Sequence, residues 1–192
     1  MSDLQILSAA YLIGMFPSAY LLARCFQKID IRNTGTGNVG AANAYRSGGL
    51  LPGLITLGLD ILKGALAVEL AVRYGSGSMV AVLAGFLVIL AHNFNPLLRF
   101  KGGKGLAALV GILIVLAPRT ILYVLLLLAL MIRLLGDKNI AAGLSAMSIP
   151  VMLRLQTGQW EGLVAGMLIT LPVFVKYVGD FTAFFRNRRN HA

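Results

Sequence analysis

Charge is what this chain has least of. Only 12% of its 192 residues are Asp, Glu, Lys or Arg, about half the share of a soluble domain. Hydrophobic residues make up 58%, and the mean hydropathy is +0.82. A soluble globular fold is thereby excluded, and an all-α, polytopic membrane protein without room for a second domain is expected. Acid is scarcer still, seven residues against 17 basic ones, for a net charge of +10. Such a balance could serve nucleic acid, yet the basic residues are scattered between apolar stretches and form no stripe. The bilayer and anionic ligands are the expected partners, not nucleic acid. One cysteine, Cys25, permits no intrachain disulfide and reads as a small apolar filler. The start, Met1-Ser-Asp-Leu, lacks the basic region of a signal peptide, so the first apolar segment is expected to stay.

Apolar segments run at about 4–26, 51–72, 78–98, 105–118, 119–135, 139–156 and 160–178. The break between the fourth and fifth rests on Ala117-Pro118-Arg119. Proline suits the first turn of a new helix, and an arginine in lipid is costly. A single helix over 105–135 would be roughly 46 Å long, too much for one straight crossing. Seven helices are therefore expected, six being the alternative. With the N-terminus outside, all but four of the 17 Lys and Arg fall on the cytoplasmic side or in the C-terminal tail. Arg73, Arg119 and Arg154 are outside and Lys63 is intramembrane, an asymmetry that six helices would spoil. Residues 185–192 read as a basic, flexible tail at the membrane surface. No internal repeat supports an inverted-repeat transporter.

Two glycine-rich basic segments share the cytoplasmic side. The first, Arg32-Asn-Thr-Gly-Thr-Gly-Asn-Val-Gly-Ala-Ala-Asn-Ala-Tyr-Arg46, contains G-x-G-x-x-G. It follows a membrane helix and lies in no βαβ unit, so a dinucleotide site is rejected. What remains is a turn in which Gly35, Gly37 and Gly40 let N–H groups converge on an anion. Thr36 and Asn38 add donors, and Arg46 adds a bidentate clamp. The second, Lys101-Gly-Gly-Lys-Gly105, lacks the Walker A pattern but opens an apolar helix. Its backbone, Lys101, Lys104 and the helix dipole could meet a phosphate together; the plainer reading is a cationic anchor. Asp60 and Lys63, at i and i+3, read first as a structural ion pair, with Lys63 a lesser phosphate candidate. His92, near the same surface, could be a base, a phosphate donor or a satisfied polar residue. Leu97 stands where the His-x-x-x-x-Asp acyltransferase signature needs Asp, and neither Gly-x-Ser-x-Gly nor His-Glu-x-x-His occurs. No cluster calls for a metal or cofactor.

In these residues the chain resembles the acyl-phosphate-dependent glycerol-3-phosphate acyltransferases of bacterial membranes. The likeness runs over roughly residues 10–110. It rests on Gly14-Met-Phe-Pro-Ser-Ala-Tyr-Leu-Leu, the first glycine segment, Leu59-Asp-Ile-Leu-Lys-Gly64, His92 and Phe100-Lys-Gly-Gly-Lys-Gly105. The resemblance implies seven helices in the bacterial inner membrane, with an external N-terminus, a cytoplasmic C-terminus and a cytoplasmic active site. It further implies acyl transfer from acyl phosphate to glycerol 3-phosphate, giving lysophosphatidic acid and phosphate, the first step of phospholipid synthesis. Thr36, Arg46, His92 and Lys104 are then the catalytic candidates. Gly35, Thr36, Gly37, Asn38 and Gly40 would bind acyl phosphate; Arg46, Lys101, Gly102, Gly103, Lys104 and Gly105 would bind glycerol 3-phosphate. Three departures stand out: Ala42 where Thr is common, Ala91 where Gly is usual, and Tyr177-Val-Gly-Asp180 in place of a His-x-x-Asn motif. The last of these suggests a catalytically weakened, phosphate-binding paralogue as one alternative; an organophosphate transporter is the other.

Overall fold

The computed structural model describes residues 1–190, without the side chains of 187–190. Among them there are helices and turns but no strand, the expected all-α class. The chain divides into two compact units, Met1–Leu116 and Ala117–Ala192.

The first unit holds six helices: α1 (Asp3–Met15), α2 (Ser18–Leu22), α3 (Ala41–Gly48), α4 (Leu50–Tyr74), α5 (Ser78–Asn93) and α6 (Leu106–Leu116). A capping box between Ser2 and Gln5 starts α1. The expected first segment is not one unbroken α-helix. It breaks at Phe16–Pro17, because proline has no N–H and its ring collides with the preceding turn. It then ends in a π turn, Ala23–Gln27, closed by left-handed Lys28. Cys25 is exposed here, so it fills no core gap. The pairs α1–α5 and α4–α6 make the tightest helix contacts of this unit. A Cβ on Gly64 would strike the backbone of Ala108, and one on Gly111 would lie 2.8 Å from the amide nitrogen of Ala65. Without a hydrophobic drive between helices in lipid, such close backbone approach supplies the packing energy.

The second unit comprises α7 (Pro118–Leu135), α8 (Lys138–Met147), α9 (Ile149–Thr157) and α10 (Trp160–Asn190). Pro118 occupies the first turn of α7, as its missing N–H permits, and Gly136 in the left-handed region ends the helix. Asp137 then caps α8 by accepting from Asn139 and Ile140 N–H. The segment expected as one helix over 139–156 is split at Ser148, since Pro150 cannot donate to the Ala146 carbonyl. Helix α10 extends well beyond the expected 160–178, reaching Asn190. The basic tail is therefore helical as far as it is described, and His191 and Ala192 lie outside the described residues.

Among the described residues, four helical stretches are each long and apolar enough to cross a bilayer: Asp3–Gln27, Ser78–Leu98, Pro118–Leu135 and Trp160–Arg186. Their outward residues are mostly apolar; in α7, Leu122, Leu125, Leu126, Leu130 and Leu134 are all exposed. Such a surface suits hydrocarbon and makes this an integral, multi-pass membrane protein. Helix α4 has 25 residues but buries Asp60 and Lys63, and α6 has only 11.

Candidate active site

The site is assembled in the first unit, around the break in its first helix. Pro17 interrupts the backbone ladder; the Phe16 carbonyl accepts from the Ser18 N–H at 3.1 Å, and side chains from elsewhere reach both it and the Met15 carbonyl. Asn95 Nδ2 donates to the Met15 carbonyl at 2.7 Å, and Lys63 Nζ donates to that of Phe16 at 3.2 Å. Lys63 is 4% exposed, and a buried ammonium must be paired. It meets Asp60 Oδ1 at 2.7 Å, the pair expected from the sequence, and His92 Nδ1 at 2.7 Å. Ser18, the first residue of α2, donates its hydroxyl to the same Asp60 oxygen at 2.6 Å. A polar knot of four side chains thus joins α2, α4 and α5.

The first glycine loop hangs from a single amide. Asn43, 1% exposed in α3, accepts from the Thr36 N–H at 3.0 Å and donates to the Ile31 and Thr34 carbonyls, both at 3.0 Å. Gly35 and Gly37 take φ of 56° and 70°, values that suit glycine. Gly40 begins α3 with no side-chain cap, so the helix presents unfilled N–H groups beside Asn38 and the exposed Thr36. Arg46, in the last turn of α3, is exposed and has no acidic partner among the described residues. Arg32, counted with it at the sequence level, is occupied. Its guanidinium holds Asp30 through bonds of 2.9 and 2.6 Å and stacks 5.1 Å from the Tyr20 ring centroid. Those bonds hold the Asp30 carboxyl down at about pKa 2.

The second loop is held by its own backbone. Asn95 accepts from the Leu97 N–H on its side chain and from Leu98 and Phe100 on its carbonyl, turning Arg99 and Phe100 into the left-handed region. The N–H groups of Gly102 and Gly103 then donate, each at 3.2 Å, to the Asn93 and His92 carbonyls that end α5. These two amides were expected to face a phosphate; instead they satisfy a helix C-terminus, where carbonyls lack intrahelical partners. Lys101 N–H is likewise spent on Leu98. What this loop offers an anion is the exposed Lys101, the half-buried Lys104, and the start of α6 behind Gly105.

The two loops meet. A Cβ on Gly103 would lie 2.8 Å from the Val39 carbonyl and would collide with His92 Nε2. Val39, Ile31, Ala44 and Leu98 share one buried apolar cluster beneath them. Ser18, Val39, His92, Asn95, Gly102 and Gly103, among others, line a narrow cleft beside it with no space for a water molecule. His92, Gly102 and Gly103 are brought into one lining; Thr36, Lys101 and Lys104 stand on the two loops outside it, and Arg46 on α3. The sequence reading gave Ser18 and Asn95 no role. Their signal was there: both flank a proline, in or beside a membrane helix, where freed backbone groups need polar partners. Tyr177 is buried in α10, packed on Gly143 and 6.0 Å from the Phe181 ring. No three His, Cys, Asp or Glu side chains converge as a metal site among the described residues.

Comparison with known proteins identifies the family. The family described as glycerol-3-phosphate acyltransferase matches residues 4–187. "Glycerol-3-phosphate acyltransferase" of Trichlorobacter lovleyi is 34% identical over 171 residues, 89% of this chain and 88% of that protein. "Glycerol-3-phosphate acyltransferase 2" of Moorella thermoacetica is 46% identical over 115 residues, 60% of this chain and 59% of that relative's length. The crystal structure of PlsY (YgiH), an integral membrane glycerol 3-phosphate acyltransferase, in its glycerol 3-phosphate form, superposes with a TM-score of 0.87. It is 26% identical, and the superposition covers 97% of this chain and 93% of that one. Its lysophosphatidic acid form gives a TM-score of 0.83. Since the match takes in nearly the whole chain, both glycine loops and the knot at His92 included, the chain belongs to the glycerol-3-phosphate acyltransferase family.

Proposed function

We propose that this protein transfers a fatty acyl group from acyl phosphate to the C1 hydroxyl of glycerol 3-phosphate, giving lysophosphatidic acid and inorganic phosphate. Acylation of glycerol 3-phosphate follows from the family; the donor and the residue roles are our reading. The hydroxyl oxygen attacks the acyl carbon, the carbon–oxygen bond to phosphate breaks, and the hydroxyl gives up its proton. Acyl phosphate is a mixed anhydride with a good leaving group, so no acyl-enzyme is needed. The protein's task is to juxtapose two anions and to stabilise charge as phosphate departs.

The first loop, with Gly35, Thr36, Gly37, Asn38 and Gly40, would hold the acyl phosphate at the uncapped start of α3. Arg46 and the Lys101–Gly105 loop would hold glycerol 3-phosphate, with His92 in support. In this reading the glycines of the second loop shape it, while Lys101 and Lys104 supply the charge. Seven crossings of a bacterial inner membrane, with the N-terminus outside, put both loops at the cytoplasmic surface in a single transmembrane domain. The observation that carries the reading is the contact between the two cationic loops at Val39 and Gly103, beside His92. The test is one assay with purified protein, glycerol 3-phosphate and either acyl phosphate or acyl-CoA. Lysophosphatidic acid from acyl phosphate alone is expected; product only from acyl-CoA would overturn the donor assignment.

A further inference from the structure

The knot at the break of the first helix does more than bury an ion pair, and counting donors shows what. Protonated Lys63 has three N–H bonds and no acceptor. Three acceptors surround its nitrogen: Asp60 Oδ1 at 2.7 Å, His92 Nδ1 at 2.7 Å and the Phe16 carbonyl at 3.2 Å. Every donor is used, and each points at a different element. His92 Nδ1 lies 3.9 Å from Asp60 Oδ1, too far for a hydrogen bond between them. Against a protonated Lys63, Nδ1 can only accept, and a neutral ring then carries its proton on Nε2. That nitrogen sits against Gly103, where any Cβ would collide with it. Ser18, which also lines the cleft, completes the frame through Asp60.

We propose that Lys63, anchored by Asp60 and Ser18, is a positioning residue that locks His92 as an Nε2–H donor facing the second glycine loop. His92 then serves the phosphate of glycerol 3-phosphate as a neutral hydrogen-bond donor and does not accept the proton of the attacking hydroxyl. Accepting it on Nδ1 would displace the Lys63 bond and set an imidazolium 2.7 Å from an ammonium; Nε2 already carries its proton. The substrate part of this inference rests on the proposed reaction, whereas the tautomer does not.

The chain has two histidines, so His191→Ala leaves one, and ring-¹⁵N labelling reports His92 alone. The expected spectrum of the full-length protein in detergent shows a protonated Nε2 and a bare Nδ1. The double variant Asp60→Asn/Lys63→Met removes both buried charges together and leaves none unpaired; in it the two tautomers should mix. Adding glycerol 3-phosphate without donor should shift the Nε2–H signal in the wild type and leave the double variant unmoved. In turnover, the double variant should raise the KM for glycerol 3-phosphate roughly tenfold, with kcat and the KM for acyl phosphate nearly unchanged. It should add nothing in a His92→Gln background. A wild-type ring protonated on Nδ1 or on both nitrogens overturns the proposal, as does an Nε2–H signal blind to glycerol 3-phosphate. Losses additive with His92→Gln and spread over both substrates overturn it too. A wild type that shows the shifted Nε2–H signal but forms no lysophosphatidic acid refutes the reaction reading and keeps the positioning role.

Discussion

In the first glycine loop one side chain, Asn43, holds three backbone groups in place, and the uncapped start of α3 is left to face outward. In the second, Gly102 and Gly103 bond directly to the end of α5, and the charge comes from lysines at their flanks. The first loop spends its Thr36 and Gly37 N–H groups on Asn43 and the Thr34 carbonyl, and leaves the uncapped start of α3 for a ligand. The second depends on the absence of side chains and spends its donors on the fold. Similar composition has produced two different devices, because one loop starts a helix after a free turn and the other must seal a helix end.

Mutation can break this contrast at four points. Arg46→Ala should have the largest effect, a fall in kcat/KM of about 100-fold or more, with unaltered thermal unfolding, since Arg46 is exposed. Normal turnover in that variant would remove Arg46 from the site. Gly102→Ala should cost activity and about 1–3 kcal/mol of stability together, since its Cβ would strike the His92 carbonyl and come within 2.8 Å of the Asn93 carbonyl oxygen. Unfolding and turnover measured on the same preparation check that coupling.

Asn43→Asp sharpens the comparison. It keeps the acceptor for the Thr36 N–H but loses both donors, so the Ile31 and Thr34 carbonyls lose a partner at about 1–3 kcal/mol. The KM for acyl phosphate should rise while that for glycerol 3-phosphate changes little; the opposite pattern would exchange the two loops' substrates. Asp30→Asn should have the smallest effect, under about 1 kcal/mol. The folded-state pKa of Asp30 is depressed from 3.8 to about 2 by Arg32. Its contribution is thus present above pH 4 and lost as pH falls toward 2. Melting curves from pH 6 to pH 2 should show a shallower acid decline in the variant, and an identical decline would mean the Asp30–Arg32 pair contributes nothing measurable.

Legibility differed from element to element. The α6–α7 boundary at Ala117-Pro118 could be read directly, because proline at a helix start is a local preference. The break at Pro17 and the split at Ser148 were within reach of the same rule, but the apolar run on each side masked them. In the site, the Asp60–Lys63 pair follows from helical spacing alone. Arg32 misled, since two residues away Asp30 claims its guanidinium. The second loop misled in another way: a Gly-Gly pair ahead of a helix looks like an anion cradle until the carbonyls of α5 arrive to take its amides.

By itself the sequence determined a helical membrane protein with two glycine-rich basic segments, because lipid permits little else of this composition and glycine with lysine or arginine suits anions. Only the tertiary structure decided that the loops touch at Val39 and Gly103 and that Lys63 reaches His92, 29 positions on. Local rules reach one helical turn along the chain. A hydrogen bond between α4 and α5 depends on how two helices pack, and at the break around Pro17 Asn95 and Lys63 reach the Met15 and Phe16 carbonyls from other elements.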